Sequence, residues 1–397
     1  MASTPVQAVG DTSRQAFVVA CYLSVFIDYL FYSMWVPLIP AYFPPAGDSG
    51  QAGWVISSYS AGILLCPFIF SLCRGQLTYW RALFAAALLK CASLALLTAG
   101  DGTTLFVAGR VLQGVATGGT WSAAFAFLSS RYPERSTAAI AGAGAAGSAG
   151  YALGPLVGGW AHEQLSPAAP PLIMAAVLSV GVIFCGLCKE DSPSANARSG
   201  PRLRELVARK GMPLTLLVIA TVSASWSLIE SLVPLRHCQR ATQSLQGVGA
   251  LFTVASLIAI VLTPAVVALV RRTSEQTAAC LGAGLMSCAL GVLAFSEAWN
   301  IGLAALLSAQ IAYQLMYYPM SAQVGRIAHA TGDAARLTAY GLSNSVYSAG
   351  LLFTGSAETL LGAHCDATQT MLIASGGIAC LGVMLFFVQR GTSCGDP

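Results

Sequence analysis

The stretch FVVACYLSVFIDYLFYSMWVPLIPAY, residues 17–42, decides the fold because it is long and apolar and carries a single charge, that of Asp28. A helix needs about 20 mostly apolar residues to cross a bilayer. This stretch satisfies that requirement before Pro37 and Pro40 interrupt the helical pattern. It therefore predicts a transmembrane helix rather than a helix in the core of a soluble protein.

The composition of the whole chain agrees with this interpretation. Of its 397 residues, 56% are hydrophobic and 9% are charged, whereas a soluble domain carries about 25% charged residues. We therefore exclude a water-soluble enzyme and expect neither a cofactor nor a nucleic-acid partner. Six of the twelve cysteines lie inside apolar runs, where cysteine packs as a small hydrophobic residue. We predict no metal site.

The same length criterion predicts twelve spans along the chain. The polar segment 189–211 carries six basic residues and separates six spans from six. We predict an all-α membrane protein with a six-helix bundle in residues 1–188, a cytoplasmic linker in 189–211 and a second bundle in 212–397. The predicted spans are 17–42, 51–73, 79–99, 103–129, 137–161, 168–188, 212–235, 245–270, 276–296, 299–324, 338–361 and 369–389.

The positions of lysine and arginine predict the orientation, since cytoplasmic loops carry the excess of these residues. With a cytoplasmic N-terminus, sixteen of the 20 basic residues lie on the cytoplasmic side. Arg236 and Arg240 lie outside, and Lys90 and Arg110 lie within the membrane. We predict that both termini are cytoplasmic and that the chain is a monomer in the lipid bilayer of the plasma membrane or of an acidic vesicle.

Two short sequences recur in equivalent spans of the two halves. Val-Pro-Leu occurs at 36–38 and 233–235, and Ser-Ala-Gly occurs at 148–150 and 348–350, with nearly equal separations. Such pairs are typical of an internal duplication. Transporters that are built from repeats bind substrate near the bilayer midplane between the repeats, so we look for the functional site there.

Asp28 lies about eleven residues into the first span, too deep to reach the membrane surface. Tyr32 and Trp35, at i+4 and i+7, share its helical face. A carboxylate beside aromatic rings suits an organic cation, which gains charge pairing and cation–π contact. The alternative is that Asp28 pairs with Lys90 or Arg110 only to hold helices together.

Glu230 is the second embedded acid, in the seventh span, with Trp226 four residues before it. Relative to the repeated Val-Pro-Leu, it lies at a different depth from Asp28, which suits a division of roles between substrate and proton. The alternative is a glutamate at a helix end that reaches the outer surface. We predict that Lys90, midway along the third span, neutralises an acid internally.

Two backbone motifs lie in consecutive spans. R-x-x-Q-G occurs at 110–114 in the fourth span, and G-x3-GP-x2-GG occurs at 150–159 in the fifth. Glycines allow close helix approach, and Gly-Pro loosens a helix locally. The ordered pair is far more specific than either motif alone. The residues of the second motif are Gly150, Gly154, Pro155, Gly158 and Gly159.

This ordered pair of motifs, with the acids of the first and seventh spans, resembles the major facilitator superfamily and in particular its drug–proton antiporters. The stretch 27–40 looks like the first span of the vesicular amine transporters. The resemblance implies twelve helices in two bundles and proton-coupled antiport of organic cations. It also implies that Asp28 pairs with the substrate amine, that Arg110 takes part in proton coupling and that Glu230 exchanges protons or assists binding.

The chain departs from the amine transporters at some positions, since Gln314 and Ser348 replace acids in the tenth and eleventh spans. We expect an aromatic and polar wall of the site to consist of Tyr313, Gln314, Tyr317, Asn344 and Tyr347. Two alternatives stay open. One is a carrier of neutral or anionic solutes that uses Lys90 and Arg110 as anion ligands, and the other is a transport-inactive membrane receptor or scaffold.

Overall fold

The structure is a computed structural model, and every statement below refers to the residues that it describes. These are helical apart from short connections, and they contain no strand. The described ranges are 5–35, 58–72, 77–99, 102–189, 203–239, 245–296, 298–330, 333–361 and 367–393.

In the described part of the chain, twelve helices follow the twelve predicted spans in order. Where both ends of a span are described, the agreement is close, because long apolar segments determine where helices form in a membrane. A short helix, Leu203–Val207, lies in the predicted linker, and a 3₁₀ turn, Pro133–Arg135, joins α4 to α5. The helices are α1 Pro5–Met34, α2 Cys66–Leu72 (preceded by helical residues 58–64), α3 Tyr79–Thr98, α4 Thr103–Arg131, α5 Ser136–Gln164, α6 Ala169–Leu187, α7 Met212–Gln239, α8 Leu245–Arg272, α9 Glu275–Phe295, α10 Trp299–His329, α11 Asp333–Leu361 and α12 Ala367–Ser393.

Two helices begin at residues that sequence rules recognise. The hydroxyl of Thr78 accepts a hydrogen bond from the backbone N–H of Arg81 at the start of α3. Ser274 accepts one from Thr277 at the start of α9. Such N-caps satisfy N–H groups that lack a partner within the helix.

Seven of the described helices contain a window that is long and apolar enough to cross a membrane. Those without one include α4, α5, α10 and α11, whose sequences are richer in Gly, Ser, Thr, Tyr and Gln. The helix α4 buries most of its residues from Gly109 to Ser129 inside the protein. A helix surrounded by protein does not need a continuous apolar surface, which explains its lower hydropathy.

The chain forms two compact units. The first comprises residues 1–210 with 324–345, and the second comprises 211–323 with 346–397. In the first unit, α1 packs along α5, and α3 packs along α4. In the second, α9 packs along α12, where Ser287 and Ser375 exchange hydrogen bonds. The functional side chains discussed below belong to one unit or the other.

Candidate functional site

Asp28 is buried in the first unit and is surrounded by hydrogen-bond donors. Its side chain is 1% exposed. Its Oδ1 lies 2.8 Å from Nζ of Lys90 and accepts a hydrogen bond of 2.9 Å from Oγ1 of Thr117. Its Oδ2 accepts one of 3.1 Å from the indole N–H of Trp121. Donors from Lys90, Thr117 and Trp121 therefore contact both carboxyl oxygens of Asp28.

Lys90, on α3, supplies the charge that balances Asp28. Its ammonium is almost fully buried, and it also donates to the backbone carbonyl of Ser24 on α1 at 3.4 Å. The structure thus brings together the two residues of the ion pair that the sequence offered as an alternative. Leaving one partner of such a buried pair alone costs about 3–5 kcal/mol. The pair therefore holds α1 to α3.

Arg110, on α4, is buried without a carboxylate partner among the described residues. Its Nη1 donates to Oε1 of Gln113 at 2.7 Å. Its guanidinium carbon lies 5.3 Å from the ring centre of Tyr32 and 5.0 Å from that of Tyr59. Such cation–π contacts contribute about 2 kcal/mol where water is excluded. They stabilise the guanidinium, whose charge no anion balances in the described part of the chain.

A hydrogen-bond chain connects the surroundings of Arg110 to Asp28. The hydroxyl of Tyr59 donates to Oγ1 of Thr117 at 3.2 Å, and Thr117 donates to Asp28. The ring of Tyr59 lies under Arg110 and 4.5 Å from the ring of Tyr32, centre to centre. Tyr59 and Thr117 therefore lie between Arg110 and Asp28 in this series of contacts.

The sequence analysis missed three residues of this network: Tyr59, Thr117 and Trp121. Two of them were detectable, since Gln113, Thr117 and Trp121 follow at intervals of four and share one face of a helix. These three residues extend along α4 from Arg110. The position of Tyr59 required the packing of α2 on α4, where Gly62 and Gly114 approach closely.

Tyr32 and Trp35 have different surroundings, although both were expected beside Asp28. Tyr32 contacts Arg110 and Tyr59, as described above. Trp35 instead packs against Phe106, with ring centres 5.5 Å apart, in an apolar cluster that includes Leu94. The helix α1 ends at Met34, so Trp35 does not continue the stripe that the i+7 spacing assumes.

The glycines of the fifth-span motif pack against the backbone of α1. A Cβ at Gly150 would clash with the carbonyl oxygen of Phe26, and one at Gly154 would lie 2.8 Å from that of Leu30. At Gly158 it would lie 2.6 Å from the carbonyl oxygen of Met34. Gly159 faces open space, and the side chain of Pro155 lies outside the described residues. The motif thus allows α5 to approach the helix that carries Asp28.

The second unit gathers aromatic side chains from α7, α10 and α11. The hydroxyls of Tyr313 and Tyr347 are hydrogen-bonded at 3.2 Å. Tyr317 stacks on Tyr313 at 5.2 Å, and Trp226 meets Tyr313 edge-on at 6.0 Å. Gln314 donates to the carbonyl of Ala259 at 3.0 Å, and its Oε1 is buried without a described partner.

Two further residues of the predicted site are Asn344 and Glu230. Asn344 belongs to the first unit, where its amide donates to the hydroxyl of Ser122 at 3.1 Å. Glu230 lies on α7, but its side chain is outside the described residues. Its predicted role therefore stays a prediction.

Comparison with known proteins identifies the family. The family model for the Major Facilitator Superfamily matches residues 21–355. The chain belongs to the major facilitator superfamily. It is therefore a multi-pass membrane protein and a secondary transporter for small molecules, and the exclusion of an enzyme is confirmed. No curated protein matches the sequence.

Solved structures of this superfamily confirm the predicted all-α fold. The human organic anion transporter MFSD10 (TETRAN) aligns with a TM-score of 0.75 at 17% identity, over 94% of this chain and 99% of that one. The fucose transporter FucP in its outward conformation aligns with a TM-score of 0.71 at 16% identity, over 93% and 97%. A variant of the E. coli fucose:proton symporter FucP gives 0.72 at 16%, over 94% and 97%. At these identities the likeness shows the fold alone.

Proposed function

We propose that this transporter is a proton-coupled antiporter of organic cations, of the vesicular amine or drug-efflux type. The observation that carries the proposal is the environment of Asp28. This buried carboxylate already binds a primary ammonium, that of Lys90, at 2.8 Å. Thr117 and Trp121 orient both carboxylate oxygens. The same environment suits the ammonium of a substrate.

The aromatic residues contribute to cation binding in this proposal. Tyr32 lies near Asp28 along α1, and Trp226, Tyr313, Tyr317 and Tyr347 supply ring faces in the second unit. Rings attract organic cations by cation–π interaction. Gln314 and Asn344 add polar contacts. Glu230 exchanges protons or assists binding.

Transport in this proposal follows from alternate exposure of the site by the bundles 1–188 and 212–397. The glycines of α5 pack against the backbone of α1 within the first unit. In this proposal, that close packing helps the transporter to seal against leak. We propose a monomer with both termini in the cytoplasm, in the plasma membrane or in an acidic organelle.

The test is uptake into proteoliposomes with an imposed pH gradient and labelled methylphenylpyridinium, a permanently charged organic cation. We expect the cation to accumulate on the acidic side and a protonophore to abolish the accumulation. Accumulation that survives complete loss of the pH gradient would contradict antiport. The variant Asp28→Asn is the control, because it keeps the size of the side chain and removes its charge.

A second candidate, a carrier of organic anions, is favoured by one observation. Lys90 neutralises Asp28, whereas Arg110 has no carboxylate partner among the described residues, so the buried network carries a net positive charge. The similar structure of MFSD10 is described as that of an organic anion transporter. Benzoate uptake that Arg110→Gln abolishes, with no uptake of methylphenylpyridinium, would favour this candidate over the first.

A further inference from the structure

We propose that Lys90 carries the proton that is exchanged for the substrate, because its ammonium occupies the place of the substrate on Asp28. This inference rests on the proposed function, since it requires that Asp28 binds the organic cation. The sequence assigned Lys90 a structural charge only. The geometry adds that Lys90 is the single charged partner of Asp28 among the described residues.

The contacts of Asp28 show why an incoming cation must compete with Lys90. Oδ1 contacts both Lys90 and Thr117, and Oδ2 accepts from Trp121. Thr117 and Trp121 are neutral donors, and they can still donate their hydrogen bonds to Asp28 when a cation is bound. An organic cation that pairs with Asp28 replaces the charge of Lys90, so Lys90 then lacks its counter-ion.

The other charged or titratable groups near Lys90 offer it no second anion. Asp28 is the sole carboxylate between residues 14 and 34 of α1, and α3, α4 and α6 contain none. The helix α4 contributes Arg110, which is always protonated. The thiols of Cys91, on α3, and Cys185, on α6, also interact electrostatically with Lys90.

Charge balance then couples the two ions. An uncompensated charge in a dehydrated site is costly. A cation therefore binds Asp28 when Lys90 is neutral. One N–H bond of the ammonium breaks, its electron pair stays on Nζ, and water on the side of cation entry accepts the proton. On the acidic side a proton binds Nζ again. Lys90 then re-forms its ion pair with Asp28, and the cation is released. One cation is exchanged for one proton, and the charge of the site is unchanged.

The experiment measures protons released when methylphenylpyridinium binds to the purified full-length protein in weak buffer. Because this probe is permanently charged, any released proton comes from the protein. We expect wild type to release one proton per bound cation and to bind more tightly as pH rises. Glu134→Gln, which removes an exposed carboxylate, is the control, and we expect it to release a proton as wild type does. Glu230→Gln is measured in parallel.

Two substitutions of Lys90 separate charge from titration. Lys90→Arg keeps a charged partner that cannot lose its proton. We expect it to release none and to bind the cation more than tenfold more weakly, about 1.4 kcal/mol. Lys90→Met removes the competing charge, so we expect it to bind the cation more tightly than wild type at a pH where Asp28 is ionised. If Lys90→Met is too unstable to purify, Lys90→Arg, which keeps the ion pair, decides alone.

The outcomes separate this inference from the proposed function. Proton release equal to wild type in Lys90→Arg would overturn the role of Lys90 and leave cation antiport standing. Wild type that neither binds nor transports the cation would contradict the proposed function itself. Loss of proton release in Glu230→Gln with normal release in Lys90→Arg would assign the exchanged proton to Glu230 instead.

Discussion

The polar interiors of the two units differ in kind. In the first unit, Asp28, Lys90 and Arg110 are all buried and are linked by Thr117 and Tyr59. The corresponding cluster of the second unit, as far as its side chains are described, consists of aromatic rings with the amide of Gln314. The first unit therefore holds ionic charge close to specific partners, and the described cluster of the second presents neutral aromatic and amide groups.

The interfaces between helices are, by contrast, similar in the two units. A Cβ at Gly150, on α5, would meet the backbone of α1 at Phe26 and Leu30. One at Gly350, on α11, would meet α7 at the carbonyl of Ala220, 2.7 Å away. The two glycines close the repeated Ser-Ala-Gly sequences. The two repeated sequences thus end in glycines that allow the same kind of close helix approach.

Removing the charge of Asp28 tests the ionic side of this comparison and has the largest expected effect. Asp28→Asn leaves the ammonium of Lys90 buried and unpaired, which costs about 3–5 kcal/mol of stability. We expect a large fall in the midpoint of thermal unfolding in detergent, and cation binding weakened by more than tenfold.

Two variants control for this effect. Glu134→Gln removes an exposed carboxylate and should change stability by less than about 0.5 kcal/mol. The double variant Asp28→Asn with Lys90→Met should regain most of the lost stability, because it removes both charges. Full stability in Asp28→Asn alone would show that the pair does not hold α1 to α3.

Alanine substitutions at the glycines test whether the two interfaces are equivalent. Gly150→Ala and Gly350→Ala place a methyl group against backbone and should each cost about 1–3 kcal/mol. Gly159→Ala, on α5, and Gly376→Ala, on α12, have open space and should be neutral or slightly stabilising, because alanine favours a helix. The measurement is thermal unfolding in detergent. If Gly350→Ala does not change the stability, the close approach of helices is limited to the first unit.

Replacing Arg110 by lysine keeps its charge and tests the planar contacts. An ammonium cannot extend over the rings of Tyr32 and Tyr59 and keep the bond to Gln113, so we expect a loss of about 1–2 kcal/mol. Arg131→Lys is the matched control, since Arg131 contacts the ring of Tyr132 at a partly exposed site. Its loss should be smaller. If thermal unfolding shows that both variants lose the same stability, burial does not strengthen the contacts of Arg110.

The hydroxyl pair of the aromatic cluster gives the smallest expected effect. Tyr347→Phe removes the hydrogen bond with Tyr313 but keeps both rings, so it should cost about 0.5–1.5 kcal/mol. Tyr313→Phe and the double variant complete a cycle in which the two effects should not add. Cation affinity should change little, because ring faces remain. A loss of affinity as large as that of Asp28→Asn would assign the second unit a polar role in binding.

Several features of this molecule were predictable from sequence because they depend on local patterns. Runs such as 17–42 predict transmembrane helices, since a bilayer requires each span to satisfy its own backbone hydrogen bonds. The depth of Asp28 and Lys90 in their spans predicted that each is buried. The glycine spacing at 150, 154 and 158 predicted one face of close approach, because positions four apart lie together on a helix.

Only the tertiary structure decided which of these groups meet. The sequence left Asp28 with Lys90, Arg110 or neither as its partner, and the packing of α1 on α3 selects Lys90 at 2.8 Å. Trp121 and Tyr59 reach the site from other helices, and the end of α1 at Met34 places Trp35 in an apolar cluster. Periodicity specifies the face of one helix, whereas a contact between helices also depends on their separation, rotation and ends, which packing along the whole chain determines.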